Sequence, residues 1–239
     1  MEGVSWLTTE QMVEVDRAMM QDYRILLIQM MENAGRNLAH LARARFLGGD
    51  PRGRAVTVMA GAGGNGGGAL VAARRLAGWG AEVTVLLAQE PEAMTEVPAH
   101  QRDVLARMGV AGAATPLAPE AVGRVELVLD GLIGYSLRGA PAGRAAALIV
   151  WANGCGAPIL ALDVPSGVDA AGGTVFEPAI EATATMTLAL PKLGLRSPAA
   201  ARRVGELYLA DISVPPALYA GLGLTVGPLF AQDDIIRIA

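Results

Sequence analysis

The chain has 239 residues, of which 52% are hydrophobic and 18% charged, a composition that excludes a disordered chain and suffices for one large α/β domain or two small ones. Nineteen basic and 23 acidic side chains give a net charge of −4 with no block of like charge; this argues against nucleic acid as a partner, and "RARF" near 45 and "ARRV" near 202 read as solvated edges of elements. Cys155 is the single cysteine, which excludes an intramolecular disulfide and disfavours a cysteine metal site; without a signal-peptide pattern or a membrane-length apolar run, a soluble cytoplasmic protein with no membrane contact is expected.

Thr8 followed by Gln11 is a capping-box signature that predicts a helix through "QMVEVDRAMMQ". A second helix follows from Leu27, Met31, Ala34, Leu38 and Leu41, whose spacing puts them on one face. The methionine pairs Met19–Met20 and Met30–Met31 read as gap-filling core rather than a binding surface.

After the turn-rich "GGDPRG" the pattern becomes short apolar runs separated by helical stretches. The runs are "AVTVMA" at 55, "EVTVLLA" at 82, "VELVLD" at 125, "PILALDV" at 158, "ATMTLAL" at 184 and "GELYLAD" at 205. Helical spacing fills the intervals near 69–79, 97–108 and 143–153. Continuous Val/Leu/Ile runs alternating with helices predict a parallel, doubly wound sheet covered on both faces. One domain is expected, with N-terminal helices over 1–50, an α/β core over 51–215 and a tail over 216–239 packed across an edge.

Ligands of open parallel sheets lie outside the carboxyl ends of the strands. The first run delivers "AGAGGNGGGA", in which Gly61, Gly63 and Gly66 form a literal G-x-G-x-x-G between strand and helix. Backbone amides at such a turn favour an anion, and the missing side chains let a diphosphate approach. The third run delivers Asp130, the fourth delivers Asp163 and Ser166, and the fifth delivers Lys192, so these groups are expected on one rim. Ser166 also fits a plain turn cap, and Lys192 also fits a solvated loop. His40 and His100 read as helix-surface residues without a nucleophile beside them. A Rossmann dehydrogenase would want an acid ending the second strand; Glu90 stands somewhat late for that role, and no His or Tyr relay follows the glycine turn.

Several stretches in order resemble the YjeF N-terminal domain family, known as NAD(P)H-hydrate epimerase and, in animals, as the apolipoprotein A-I-binding protein. They are "LTTEQMVEVDRAMM", "MMENAG", "GAGGNGGGALVAARRLAGWGAEVTV", "LDGLIGYSLRGAPAG", "PILALDVPSGVDAAGGT" and "TMTLALPKLGL", spanning about residues 7 to 215. The resemblance implies a three-layer α/β/α Rossmann-like fold, commonly a homodimer. It further implies interconversion of the R and S epimers at C6 of hydrated NADH and NADPH, with a separate NAD(P)HX dehydratase as metabolic partner. The family's dinucleotide loop falls on Gly64, Asn65, Gly66, Gly67 and Gly68. Further substrate contacts fall on Gly134, Tyr135, Ser136, Leu137, Arg138, Gly139 and Ala140 and on Asp163, and potassium ligands fall on Asn65, Asp130 and Ser166.

Where the family loop reads G-P-G-N-N-G-G-D-G, this chain has "GAGGNGGGA", so Gly64 replaces the first Asn, Gly68 the Asp and Ala69 the last Gly. After Asp130, "IGYS" replaces F-G-T-G, which puts Tyr135 beside Asp130 in the expected pocket. An acid at position 68 would stand at the mouth of the site. Asp163 is the candidate acid–base, and Lys192 the group that stabilises negative charge or holds a phosphate. The alternative is a non-catalytic nucleotide- or protein-binding module on the same fold.

Overall fold

The computed structural model describes residues 4–113 and 117–239. Among the described residues seven strands form one sheet: β1 (Ala55–Ala60), β2 (Glu82–Leu87), β3 (Leu127–Gly131), β4 (Ile159–Leu162), β5 (Ala184–Leu188), β6 (Glu206–Ala210) and β7 (Ile235–Arg237). Their order is β2-β1-β3-β4-β5-β6-β7. All neighbours are parallel except β7, which runs antiparallel to β6. The helices are α1 (Thr9–Gln21), α2 (Leu27–Leu41), α3 (Gly64–Gly78), α4 (Glu96–Arg107), α5 (Gly143–Gly154), α6 (Pro198–Val204) and α7 (Pro216–Gly221).

The expected doubly wound α/β class is found, and the reason is visible in the alternation of the strands. Val56, Val58, Leu127, Leu129, Leu160 and Leu162 point to one face, where they pack with Leu70, Ala73 and Leu76 of α3 and Leu38 of α2. Met59, Val128, Ile159 and Ala161 point to the other, against Leu148, Ile149 and Ala152 of α5. Both faces are covered, so each strand reads as a continuous apolar run.

Thr8 caps α1 as expected: its Oγ1 accepts from the Gln11 amide, and the Gln11 side chain accepts from the Thr8 amide. The tail contributes α7 and the antiparallel edge strand β7, and Ile236 and Ile238 pack beside Leu209, Ile212, Leu218 and Tyr219. Helix α3 begins at Gly64, five residues before the helical pattern in the sequence. Glycine disfavours a helix, but here the surroundings decide. A Cβ on Gly35 of α2 would stand 2.4 Å from the Gly68 carbonyl oxygen and from Val71, so α2 and α3 cross at a distance that only bare backbone permits.

Candidate functional site

The order β2-β1-β3 reverses the winding between β1 and β3, and a crevice opens at the carboxyl ends of the strands at such a switch point. A cavity of about 500 Å³ lies there. Its walls come from the glycine turn (Ala62, Gly63, Gly64, Asn65), the segment after β3 (Leu132–Ser136), the end of β4 (Leu162, Asp163) and Lys192. Helices α1 and α2 close it with Met12, Asp16, Met20, Leu27, Met30 and Met31. A second hollow of about 400 Å³ under the tail is lined mainly by Val, Pro, Leu and aromatic side chains and has one acid, Asp211.

The glycine turn is shaped by contact. A Cβ on Gly61 would lie 2.0 Å from the Leu132 carbonyl oxygen, and one on Gly66 would lie 1.9 Å from the Gly61 carbonyl oxygen. Gly63 is the N-cap of α3 and offers no side-chain cap. The first-turn amides therefore keep their hydrogen-bonding capacity for whatever enters the cavity. Gly64–Gly68, expected as loop, are the first turn and a half of this helix. Gly68 is fully buried, with its missing Cβ 3.0 Å from Leu162 Cδ2 and 3.6 Å from Ala34 Cβ. Position 68 thus belongs to the packed floor and not to the mouth.

Asp163 follows β4 with φ 67°, and Ala189 follows β5 with φ 61°. Left-handed turns at non-glycine residues cost energy and mark a constrained place. Here the two adjacent turns bring Lys192 onto Asp163. Lys192 is fully buried and donates to Asp163 Oδ1, to the Leu188 carbonyl at 2.9 Å and to Thr187 Oγ1 at 3.3 Å. It is no solvated loop lysine. Asp163 Oδ1 also accepts weakly from Thr187 Oγ1 and the Leu188 amide, both at 3.4 Å. Oδ2 has no hydrogen-bond partner among the described residues, and Asp163 lines the cavity. The buried ammonium group at Oδ1 fixes the direction of the carboxylate.

Asp130 is placed differently from the expected rim. It ends β3 beside β4, one strand away from Asp163, but its carboxylate is wholly buried beneath the cavity wall. Oδ2 accepts from the Ser166 amide at 2.8 Å, and Oδ1 accepts from Ser166 Oγ at 2.7 Å and the Leu132 amide at 3.2 Å. Ser166 Oγ in turn accepts from the Ile133 amide at 2.9 Å. Burial pushes the Asp130 carboxyl up to about 6, against the pull of these donors. Asn65 lies against Gly134 of the same segment, and its buried Nδ2 has no partner among the described residues.

Tyr135 and Ser136 line the cavity, whereas Leu137, Arg138, Gly139 and Ala140 lie outside its lining. The Tyr135 hydroxyl does not stand by Asp130; it donates to Asp16 Oδ2 of α1 at 2.5 Å. Asp16 was not found by reasoning at strand ends, because it reaches the cavity from a helix that precedes the sheet. The methionine expectation holds in part: Met19, Met30 and Met31 are buried in the core, but Met20 is exposed, and Met12, Met20, Met30 and Met31 also line the cavity, with Met31 laid over Gly64 and Gly67. His40 stacks on Trp79, and His100 is exposed, both away from the cavity. Glu90 is exposed and outside the lining, so the acid that a dehydrogenase wants is not supplied there.

A doubly wound sheet with a glycine turn opening a helix at its switch point defines a Rossmann-like α/β protein with a crevice at that point. The model of the family described as YjeF-related protein N-terminus matches residues 27–194, and the chain belongs to that family. Among its relatives is an NAD(P)H-hydrate epimerase of Dehalogenimonas lykanthroporepellens, 44% identical over 93% of this chain and 88% of that protein. Another, from Truepera radiovictrix, is 38% identical over 90% of this chain and 92% of its own length. A bifunctional NAD(P)H-hydrate repair enzyme of Moorella thermoacetica is 36% identical over 90% of this chain but only 41% of that protein. The crystal structure of yeast ynu0 superposes with a TM-score of 0.79, covering 98% of this chain and all of that one at 23% identity, which speaks for the fold.

Proposed function

We propose that the chain is an NAD(P)H-hydrate epimerase, interconverting the R and S forms of hydrated NADH and NADPH at C6. The observation that carries the reading is that Asp163, locked to buried Lys192 through Oδ1 and with Oδ2 unpaired among the described residues, lines the cavity on which the glycine turn of α3 also opens. In this reading the first-turn amides at Gly64, Asn65 and Gly66 bind the diphosphate, with Gly67 and Gly68 giving α2 close approach. Gly134, Tyr135 and Ser136 form the wall for the reacting ring. Asp163 moves the proton, and Lys192 holds it aimed. A positioned acid–base contributes roughly 10²–10⁴-fold to such a step.

Potassium is the expected resident ion. The donor set suits a large hard cation: a buried carboxylate with no cationic side chain beside it among the described residues, the Ser166 hydroxyl, and the Asn65 carboxamide, whose Nδ2 is unpartnered among them and whose oxygen a half-turn would present. A bound ion would supply positive charge against Asp130. Asn65, Asp130 and Ser166 are its proposed ligands. A homodimer and a dehydratase that consumes one epimer complete the proposal.

The test is to incubate purified protein with separated R- and S-NADHX in potassium buffer and follow the epimers chromatographically. Acceleration of their interconversion is expected, and its absence rejects the catalytic reading. The second reading is a binding module on the same fold, suggested by Gly68 standing where the family loop has Asp. Tight hydrate binding by calorimetry without turnover would support that module.

A further inference from the structure

Asp16 and Tyr135 line the cavity and are left over by the reading above. Asp16 lies on α1, outside the 27–194 segment that the family model matches, and is half-buried. Its Oδ2 accepts from Tyr135, and its Oδ1 accepts no hydrogen bond among the described residues. Arg17, the next residue, is turned away and bound to Glu14 and Asp22, so it does not neutralise Asp16. The titratable groups that act on Asp16 are Tyr135, Lys192 and Asp163. Burial raises the Asp16 carboxyl above the usual range, and the Tyr135 donor opposes this. Two carboxylates from separate elements thus share one cavity: Asp163 is held by an ammonium, and Asp16 is held by a phenol.

C6 of the hydrate bears a hydroxyl and is bonded to ring nitrogen N1, so it is a carbinolamine carbon. When it inverts through an iminium, the hydroxyl departs from one face and oxygen returns on the other, and an acid–base group on each face serves both events. Resting on the epimerase reading, we propose that Asp16 is the second acid–base group of the reaction, serving the face of the ring opposite to Asp163.

Protonated Asp16 gives its proton to the C6 hydroxyl. The C6–O bond breaks with its electron pair on oxygen, water leaves, and the N1 lone pair forms an N1=C6 iminium. Asp163 then takes a proton from a second water as that water's oxygen bonds to C6 from the other face, and the π electrons return to N1. The result is the inverted carbinolamine, with Asp16 ionised and Asp163 protonated; exchange with solvent resets both. Run in reverse, the roles interchange, as an epimerase acting on both isomers requires. Two carboxyl groups in one cavity, each held by a different partner, are a recurring arrangement for such work.

The test uses the whole chain in potassium buffer with separated R- and S-NADHX. Asp16→Asn is expected to lower kcat by about 10²–10⁴-fold while calorimetry still detects hydrate binding, and to remove the alkaline limb of the pH profile. Asp16→Glu, which keeps a carboxyl, is expected to recover part of the loss. Tyr135→Phe removes the donor that favours ionised Asp16, so its alkaline limb should move to higher pH. If Asp16 were only a tie between α1 and the segment after β3, both variants would lower the thermal midpoint and leave the shape of the profile alone; that result overturns the proposal. Wild-type turnover with undiminished kcat in Asp16→Asn overturns it while sparing the epimerase reading. A wild-type protein without turnover removes both.

Discussion

Asp130 carries a carboxylate fully withdrawn from solvent, held by donors of Leu132 and Ser166 and by no cationic side chain among the described residues. Its carboxyl is raised from the ordinary value of 3.8 to about 6, because burial outweighs three hydrogen bonds. A carboxyl raised on folding contributes stability that is complete below its unfolded value and is lost as pH climbs through the folded one. In the cation-free protein the loss between about pH 4 and 6 amounts to about 3 kcal/mol. A cation seated beside Asp130 binds the ionised form and offsets that loss. The thermal midpoint gained with KCl over choline chloride should therefore be small at pH 5 and largest above pH 7. A gain independent of pH would remove Asp130 from the ligand set.

Helix α3 is the element on which the site turns. Its first turn is helical because glycine lets five neighbours come within contact: Gly61, Met31, Pro98, Leu162 and Ala34. Gly66→Ala would set a methyl 1.9 Å from the Gly61 carbonyl oxygen, which is backbone and has little room to move. Forcing extra volume there should cost about 1–3 kcal/mol and open the turn. Calorimetry with ADP-ribose is expected to show weaker binding for this variant. Gly78→Ala, at the far end of the same helix with nothing within 4 Å, should instead stabilise by about 0.5–1 kcal/mol in chemical denaturation. Equal effects at both ends would refute a steric origin for the glycines.

At the scale of the molecule, the N-terminal helices and the tail meet at one edge of the sheet. Leu7, Met12, Val15 and Met19 of the start pack with Leu209, Ile212, Leu218 and Tyr219 of the end. The backbone of Leu7 also bonds that of Pro191 and Leu193, on either side of Lys192. Strand β7 covers the edge of β6 that would otherwise offer unpaired amides and carbonyls. Removing residues 216–239 should expose that edge and its apolar cluster. Self-association on size exclusion and a lower thermal midpoint are expected, and an unchanged elution volume and midpoint would show the tail to be dispensable.

Much of this was legible in the residues. The period of the apolar runs specified a parallel sheet covered on both faces, because a strand buried on both sides has no polar alternation to show. Strand ends named Asp130, Asp163, Ser166 and Lys192, since each loop follows its strand in sequence. Contacts between residues far apart in the chain carry no such local mark. Burial moved Asp130 off the rim, neighbouring helices drew Gly64–Gly68 into α3, and the left-handed turns at Asp163 and Ala189 paired an aspartate with a lysine 29 positions later. Asp16 meets Tyr135 across 119 positions. The sequence by itself determined the layers and the order in which chemical groups arrive at the sheet's edge; only tertiary packing decided which of them lose water, which find a partner and which face the cavity, because desolvation and contact depend on the whole surrounding fold.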